Sequence, residues 1–443
     1  QSSATLEWTL LREGVTYRSA AMHTPGSVAA LFAGQGAQYT HMFADVAMNW
    51  PPFRSAVQEM DAAQVTAAAP KRLSEVLYPR KPYAAEPEQD NKAISMTINS
   101  QPALMACAAG AFEVFRQAGL APDHVAGHSL GEFGALLAAG CASREELFRL
   151  VCSRAKAMQD VPKPSEGVMA AVIGRGADKL TLQGDGAWLA NCNSPSQVVI
   201  SGDKTAVERE SSRLAGLGFR IIPLACEGAF HSPHMTAAQA TFQAALDSLK
   251  ISTPTNGARL YNNVSGKTCR SLGELRDCLG KHMTSPVLFQ AQVENMYAAG
   301  ARIFVEFGPK QVLSKLVGEI LADKSDFVTV AVNSSSSKDS DVQLREAAAK
   351  LAVLGVPLAN FDPWELCDAR RLRECPRSKT TLRLSAATYV SNKTLAAREK
   401  VMEDNCDFSS LFASGPASQE MEREIANLRA ELEAAQRQLD TAK

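Results

Sequence analysis

The sequence predicts an α/β fold built on a parallel sheet. Three observations carry this: short apolar runs that end at glycine, helical stretches between them, and one internal block with a different rhythm. "SVAALFAGQG" reads as a strand from Ser27 to Phe32 that runs into a turn at Gly34 and Gly36. "HVAGH" gives a second strand, leading to Ser129, and "RIFVEFG" (302–308) a third that ends in Gly-Pro. "QPALMACAAGAFEVFRQAG" reads as a helix with Pro102 near its N-terminus, and "SREELFRLVCSRAKAMQ" as another. Strands that are apolar throughout are buried on both faces, so helices cover both sides of the sheet.

From Val168 to Leu224 the order changes. "VMAAVIG" is a strand and "ADKLTLQG" a short helix; "AWLANCN" and "QVVISG" are strands joined through Ser-Pro-Ser; "DKTAVERESSRLAGLG" is a helix and "FRIIPLA" a strand. This βαββαβ order matches the ferredoxin-like split motif and predicts a small subdomain inserted at 161–228. The large subdomain then takes 27–160 and 229–333, behind an N-terminal linker at 1–26. "NSSSSKDS", polar and low in complexity, opens a connector over 334–417, in which "DVQLREAAAKLAVLG" reads as a helix and "TLRLSAATYV" as a strand. Residues 418–443 read as a helical tail. There Met421, Ile425, Leu428, Leu432, Ala435 and Leu439 step by four and three, a spacing that suits either a coiled-coil seam or a solvated spacer.

A chain of 443 residues exceeds what one core usually holds and predicts two or three units. The 46 Lys and Arg offset 47 Asp and Glu, leaving a net charge of -1, so the chain offers no one-signed field for a nucleic acid. Ten cysteines form no C-x-x-C pair, and several sit in apolar runs. They predict buried thiols in a reducing, cytoplasmic setting, with no disulfide framework and no metal site. No stretch reaches 18 uninterrupted apolar residues and the first residues lack a signal peptide's pattern, so neither membrane spanning nor secretion is expected. The start on Gln1 rather than Met suggests a piece of a longer chain.

Chemistry concentrates at "VAGHSLGEFGALLAAG", 125–140. A serine between two glycines at a strand-to-helix turn projects its Oγ from the sheet. The following N–H, that of Leu130, then points at an oxyanion from the helix N-terminus. Such a hydroxyl needs a base. His128 adjoins Ser129 but points the other way and packs beneath the turn. His231, in "CEGAFHSPHM", follows the last strand of the inserted block, where the chain re-enters the large subdomain and a cleft is expected. It is either the base or, with His234, a surface pair or a His-x-x-His metal pair without a third ligand. A backbone carbonyl can orient the imidazole in place of a carboxylate, and "FGPKQVL" (307–313) is the expected source.

Leu147, Val151, Arg154 and Met158 are spaced by four, three and four, so they share one helical stripe, with Arg149 and Lys156 on the far side. An arginine on a core-directed stripe needs an anion. Either the chain supplies it as an internal salt bridge, or the side chain snorkels out, or the anion belongs to a substrate carboxylate.

Taken in order over about 27–333, "FAGQGAQ" (32–38), "GHSLGE" (127–132), Arg154 with Met158 and Gln159, "NCNSPSQVVISG" (191–202), "GAFH" (228–231) and "EFGPKQVL" (306–313) resemble the malonyl-CoA:acyl carrier protein transacylase family. The stretch "GQGAQYTHMFADVAMNWPPFR" and the tail after Val332 look like the acyltransferase domain of a polyunsaturated fatty acid synthase, a multidomain relative of polyketide synthases. The resemblance implies an α/β-hydrolase-like large subdomain with a ferredoxin-like insertion. It implies Ser129 as acyl carrier, His231 as base, Gln35 and Leu130 beside the oxyanion, and Arg154 on the distal carboxylate. It sets Met158, Asn191 and Asn193 near the substrate or pantetheine, and Phe230, with Leu130, on the choice of malonyl over methylmalonyl. Malonyl-CoA is then the donor and the phosphopantetheine thiol of an acyl carrier protein the acceptor. A ketosynthase domain is the expected neighbour, and no bound cofactor is expected. A serine hydrolase or thioesterase built on the same turn, and a non-catalytic docking domain, are the rival readings.

Overall fold

The computed structural model describes residues 7–10, 15–66, 71–79, 92–161, 167–359 and 361. All fall within a first unit, Gln1–Leu366. The strand expected at 381–390 and the helical tail at 418–443 lie outside the described residues.

Two strands in the segment expected as a linker, β1 (Glu7–Leu10) and β2 (Val15–Arg18), pair antiparallel. The main sheet has five strands: β3 (Val28–Phe32), β4 (His124–Gly127), β9 (Arg259–Tyr261), β10 (Ile303–Phe307) and β11 (Val328–Ala331). Their order is β11-β10-β3-β4-β9 and every neighbouring pair is parallel. Every residue of β3, β4 and β10 is buried, which is why these three read as unbroken apolar runs. On one face Phe32 stacks on Phe307 at 5.6 Å, and Phe112 of the Thr97–Gln117 helix meets Phe307 edge-on at 5.3 Å.

That helix begins at Thr97, not at the expected 101, so Pro102 stands inside it. Proline has no N–H for the carbonyl four residues back. Gln64 supplies one instead, its Nε2 lying 3.5 Å from the Ile98 oxygen.

The second sheet contains β5 (Gly167–Ile173), β6 (Ala187–Ser194), β7 (Gln197–Asp203) and β8 (Arg220–Leu224), all antiparallel in the order β6-β7-β5-β8. Ala170, Val172, Val198 and Ile200 pack on Val207 and Leu214 of the Lys204–Gly216 helix, while Met169, Ala171, Ala190 and Val199 join the main core. The short helix expected at 177–184 is only a 3₁₀ turn, Ala177–Lys179. Leu180 turns to an extended backbone there, which lets both Leu180 and Leu182 reach the small core. Backbone bonds tie β6 to the chain near Val287: Cys192 N–H donates to Val287 O (2.8 Å) and Val287 N–H to Ala190 O (2.9 Å).

The polar run after Val332, expected as a linker, leads straight into core structure. Asp339 caps the Ser340–Val353 helix by accepting from the N–H groups of Asp341 (2.8 Å) and Val342 (3.0 Å), and Leu344, Ala347 and Leu351 are buried in the main core. The polarity of this run serves helix capping rather than a free linker.

Candidate active site

At the end of β4 the backbone turns sharply through Ser129, whose φ of 50 lies in the left-handed region. For a residue with a Cβ such a conformation costs about 1–3 kcal/mol and persists only when its surroundings hold it. The flanking glycines are steric requirements: a Cβ on Gly127 would sit 2.0 Å from the Gly131 carbonyl, and one on Gly131 would sit 1.9 Å from Phe32 O. The Gly131–Ala138 helix starts immediately after. Asn263 Oδ1 accepts the Ser129 N–H at 2.9 Å, and His282 Nε2 donates to the Ser129 carbonyl at 3.1 Å.

His231 has the same unusual backbone, φ 56, and its Nε2 lies 2.7 Å from Ser129 Oγ. Its Nδ1 faces two carbonyls, His282 O at 3.2 Å and Ser285 O at 3.1 Å. Both are acceptors, so Nδ1 carries the hydrogen and Nε2 presents its lone pair to the serine. Burial, then the nearby His282, Arg154 and His128, holds this imidazole well below the usual histidine range. The orienting group is therefore a pair of backbone carbonyls, but from 282–285 and not from 307–313. The latter turn does other work: the Glu306 carboxylate accepts the N–H groups of Leu313 (3.0 Å) and Ser314 (2.7 Å), closing the start of the Val312–Ile320 helix.

His128 turns away from the serine hydroxyl and bonds Asn193 Oδ1 through Nε2 at 2.7 Å. His234 pairs with Asp203 at 3.2 Å rather than with His231.

Leu147, Val151, Arg154 and Met158 are all buried on the Arg144–Gln159 helix, whose N-terminus Ser143 and Glu146 close as a capping box. Arg154 is 1% exposed. Its Nη1 donates to Gln101 Oε1 at 2.7 Å, its Nη2 lies 3.5 Å from Ser129 Oγ, and its Nε has no partner among the described residues. The Phe133 ring lies 5.8 Å beneath the guanidinium. No carboxylate among the described residues forms an ion pair with it. Burial pushes its pKa down to about 9, with Glu132 acting in the opposite sense, so it stays charged near neutral pH.

The Gly34–Gly36 turn lies against the serine turn, since a Cβ on Gly34 would meet His128 O at 2.4 Å. That brings Gln35 to the site, where its side chain bonds Thr97 Oγ1 (3.3 Å) and Gln101 Nε2 (3.4 Å). Among the described residues no backbone carbonyl takes the Gln35 or the Leu130 backbone N–H. Met158 Sδ accepts from Gln101 Nε2 at 3.2 Å. Asn191, Asn193 and Phe230 are buried, Asn191 on β6 beside Val287, Asn193 against His128, and Phe230 directly before His231. Sequence reasoning missed Gln101, Asn263, His282 and Ser285. Of these only Gln101 left a signal, a polar residue at the head of an apolar helix.

The sequence profile of the acyl transferase domain family matches residues 30–358. One large subunit of the polyunsaturated fatty acid synthase of Thraustochytrium sp. is 53% identical over 441 residues, which is 97% of this chain and 16% of that protein. The malonyl CoA-acyl carrier protein transacylase of Bacillus subtilis is 33% identical over 301 residues, 66% of this chain and 90% of its own length. Among solved structures, an acyltransferase domain from the second module of the salinomycin polyketide synthase superposes with a TM-score of 0.65 at 28% identity, covering 76% of this chain and 75% of that one. A malonyl-transacylase solved in complex with a type II polyketide synthase acyl-carrier protein gives 0.62 at 30% identity, covering 72% and 99%. The chain belongs to the acyl transferase domain family.

Proposed function

We propose that this chain transfers a malonyl group from malonyl-CoA, through an ester on Ser129, to the phosphopantetheine thiol of an acyl carrier protein. The observation that carries the reading is that Ser129 Oγ meets both a neutral imidazole nitrogen, 2.7 Å away, and a guanidinium without a counter-ion, 3.5 Å away. The names of the similar proteins point the same way.

In this reading His231 Nε2 takes the Ser129 proton as Oγ attacks the thioester carbonyl. The oxyanion forms against the backbone N–H groups of Leu130 and Gln35, which have no backbone carbonyl to satisfy. His231 then returns the proton to the departing thiolate. Arg154 binds the distal malonyl carboxylate, which supplies the anion the chain withholds. The carrier thiol enters in a second half-reaction and reverses these steps, giving ping-pong kinetics. No bound cofactor takes part in these steps. Phe230 fills the space an α-methyl would need, Leu130 suits the same choice, and Met158, Asn191 and Asn193 line the approach for the acyl or pantetheine portion.

The same reading takes the parallel sheet as an α/β-hydrolase-like subdomain, 27–160 with 229–333, and the antiparallel sheet as a ferredoxin-like one, 161–228. The strand order β6-β7-β5-β8 supports it. A cytoplasmic setting next to a ketosynthase, with 334–417 as connector beyond its core helix, completes the proposal; among the described residues no helix is long and apolar enough to cross a membrane. A neutral-acyl hydrolase would have no use for the buried Arg154.

The test is the intact mass after brief exposure to malonyl-CoA. The expected result is a gain of one malonyl group, absent in Ser129→Ala. An unchanged mass in the parent chain would overturn the proposal.

A further inference from the structure

Ser129 and His231 come from separate parts of the chain, and both hold left-handed backbones. One residue touches the two of them. His282 Nε2 lies 3.1 Å from the Ser129 carbonyl oxygen, and the His282 carbonyl lies 3.2 Å from His231 Nδ1. We propose that His282 is a positioning residue that registers nucleophile and base on one another, its imidazole holding the serine peptide and its backbone holding the base. The inference rests on the roles of Ser129 and His231 given above.

The His282 side chain is fully buried, with Glu132 Oε2 3.3 Å from the same Nε2. Both neighbours of Nε2 are acceptors, so this nitrogen carries the hydrogen and shares it between them. Glu132 Oε2 also accepts from the Asn263 backbone N–H (3.1 Å) and from Asn263 Nδ2. Asn263 Oδ1 in turn accepts the Ser129 N–H at 2.9 Å. The ring Ser129–Asn263–Glu132–His282 thus grips the serine peptide at both its N–H and its C=O. Strained backbone relaxes unless such contacts hold it, and a relaxed turn would carry Oγ off the lone pair of His231.

The other end of His282 explains why a purely structural role is the poorer account. His282 Nδ1 is buried without a partner among the described residues, which an apolar side chain in the same space would avoid. What the imidazole contributes in exchange is the Nε2 donor, aimed at the peptide whose hydroxyl reacts. A shift in the 282–285 loop would move the His231 acceptors and the Ser129 clamp together.

The variants His282→Leu and His282→Gln separate these functions, because both keep the backbone carbonyl and only the glutamine keeps a donor. Rapid-quench mass measurement of Ser129 acylation by malonyl-CoA gives kcat and KM for the half-reaction. A displacement of about 1 Å at a reacting pair costs about a hundredfold, so His282→Leu is expected to lose about that factor in kcat with KM unchanged, and His282→Gln to recover most of it. A folded His282→Leu that acylates at the parent rate overturns the inference, and so does a folded His282→Gln as slow as the leucine variant. Should both variants fail to fold, the parent chain still decides: its ¹⁵N imidazole resonances, assigned through the backbone, are expected to show hydrogen on His282 Nε2, and hydrogen on Nδ1 instead overturns it. Failure of the underlying reading is distinct, since it shows as no acylation of the parent, or as acylation that survives Ser129→Ala.

Discussion

Arg154 Nη2 stands 3.5 Å from Ser129 Oγ, a buried guanidinium facing a hydroxyl with no carboxylate of the described chain paired to it. A cation in that position bears a desolvation cost which an arriving substrate carboxylate offsets. The charged pair is worth about 1.5–3 kcal/mol. Arg154→Met is therefore expected to lower kcat/KM for malonyl-CoA by about 10- to 100-fold while leaving acetyl-CoA at or above the parent value. Parallel rates with the two thioesters check this; an equal loss on both would refute a role in carboxylate binding.

The same guanidinium bears on the base. His231 is held well below the usual histidine value of about 6.5 by burial first and by neighbouring cationic groups next, Arg154 among them. Only the neutral imidazole accepts the Ser129 proton, so the rate of acylation falls as pH drops through that lowered pKa. The acid limb is expected below about pH 6.5, with a plateau above it. Arg154→Met removes one repulsive charge and is expected to move the limb upward. Acetyl-CoA is the donor for this titration, because its acyl group has no carboxylate to titrate. A limb that stays in place would remove Arg154 from the field at His231.

What was legible in the sequence followed from local geometry. Ser129 announced itself through close-packed glycines on either side, and Arg154 through its place on an apolar stripe, both of which depend on spacing alone. The strands β3, β4 and β10 were legible because burial on both faces leaves only apolar residues, whereas β9, three residues long, and the half-exposed β11 carry too little pattern to detect. The start of the Thr97–Gln117 helix was misplaced because its first turns carry Asn99, Ser100 and Gln101, polar residues that are nonetheless buried. Gln101 is polar for the benefit of Arg154 and Gln35, which no helical periodicity reveals. The carbonyls that orient His231 were beyond reach altogether, since every residue has one and only the fold selects His282 and Ser285.

Gly131 offers a test of the turn itself. It has no left-handed backbone, so its requirement is purely one of space, with Phe32 O 1.9 Å from any Cβ. Rigid backbone on both sides leaves that contact no cheap escape. Gly131→Ala is expected to destabilise the chain by about 3 kcal/mol or more, in the range reserved for core overpacking and backbone strain. Thermal or urea unfolding would measure it. A variant as stable as the parent would mean that β3 and the helix after Ser129 can separate, and the fixed placement of the hydroxyl would fall with it.

Gln101 allows the unpaired state of Arg154 to be reversed. Its Oε1 accepts from Arg154 Nη1 at 2.7 Å, and its Nε2 reaches Gln35 Oε1 and Met158 Sδ at 3.4 and 3.2 Å. Gln101→Glu keeps the size and the acceptor but adds a negative charge where the chain now has none. The guanidinium then finds its anion within the protein, and a malonyl carboxylate must compete with it or be repelled. Malonyl-CoA is expected to lose about tenfold or more in kcat/KM, the equivalent of about 1.4 kcal/mol, with acetyl-CoA much less affected. Gln101→Leu, which removes the acceptor without adding charge, is expected to fall between the parent and Gln101→Glu. Steady-state rates for both donors across the three chains check the order, and a Gln101→Glu chain that still prefers malonyl as strongly as the parent would show that Arg154 does not read the substrate's charge.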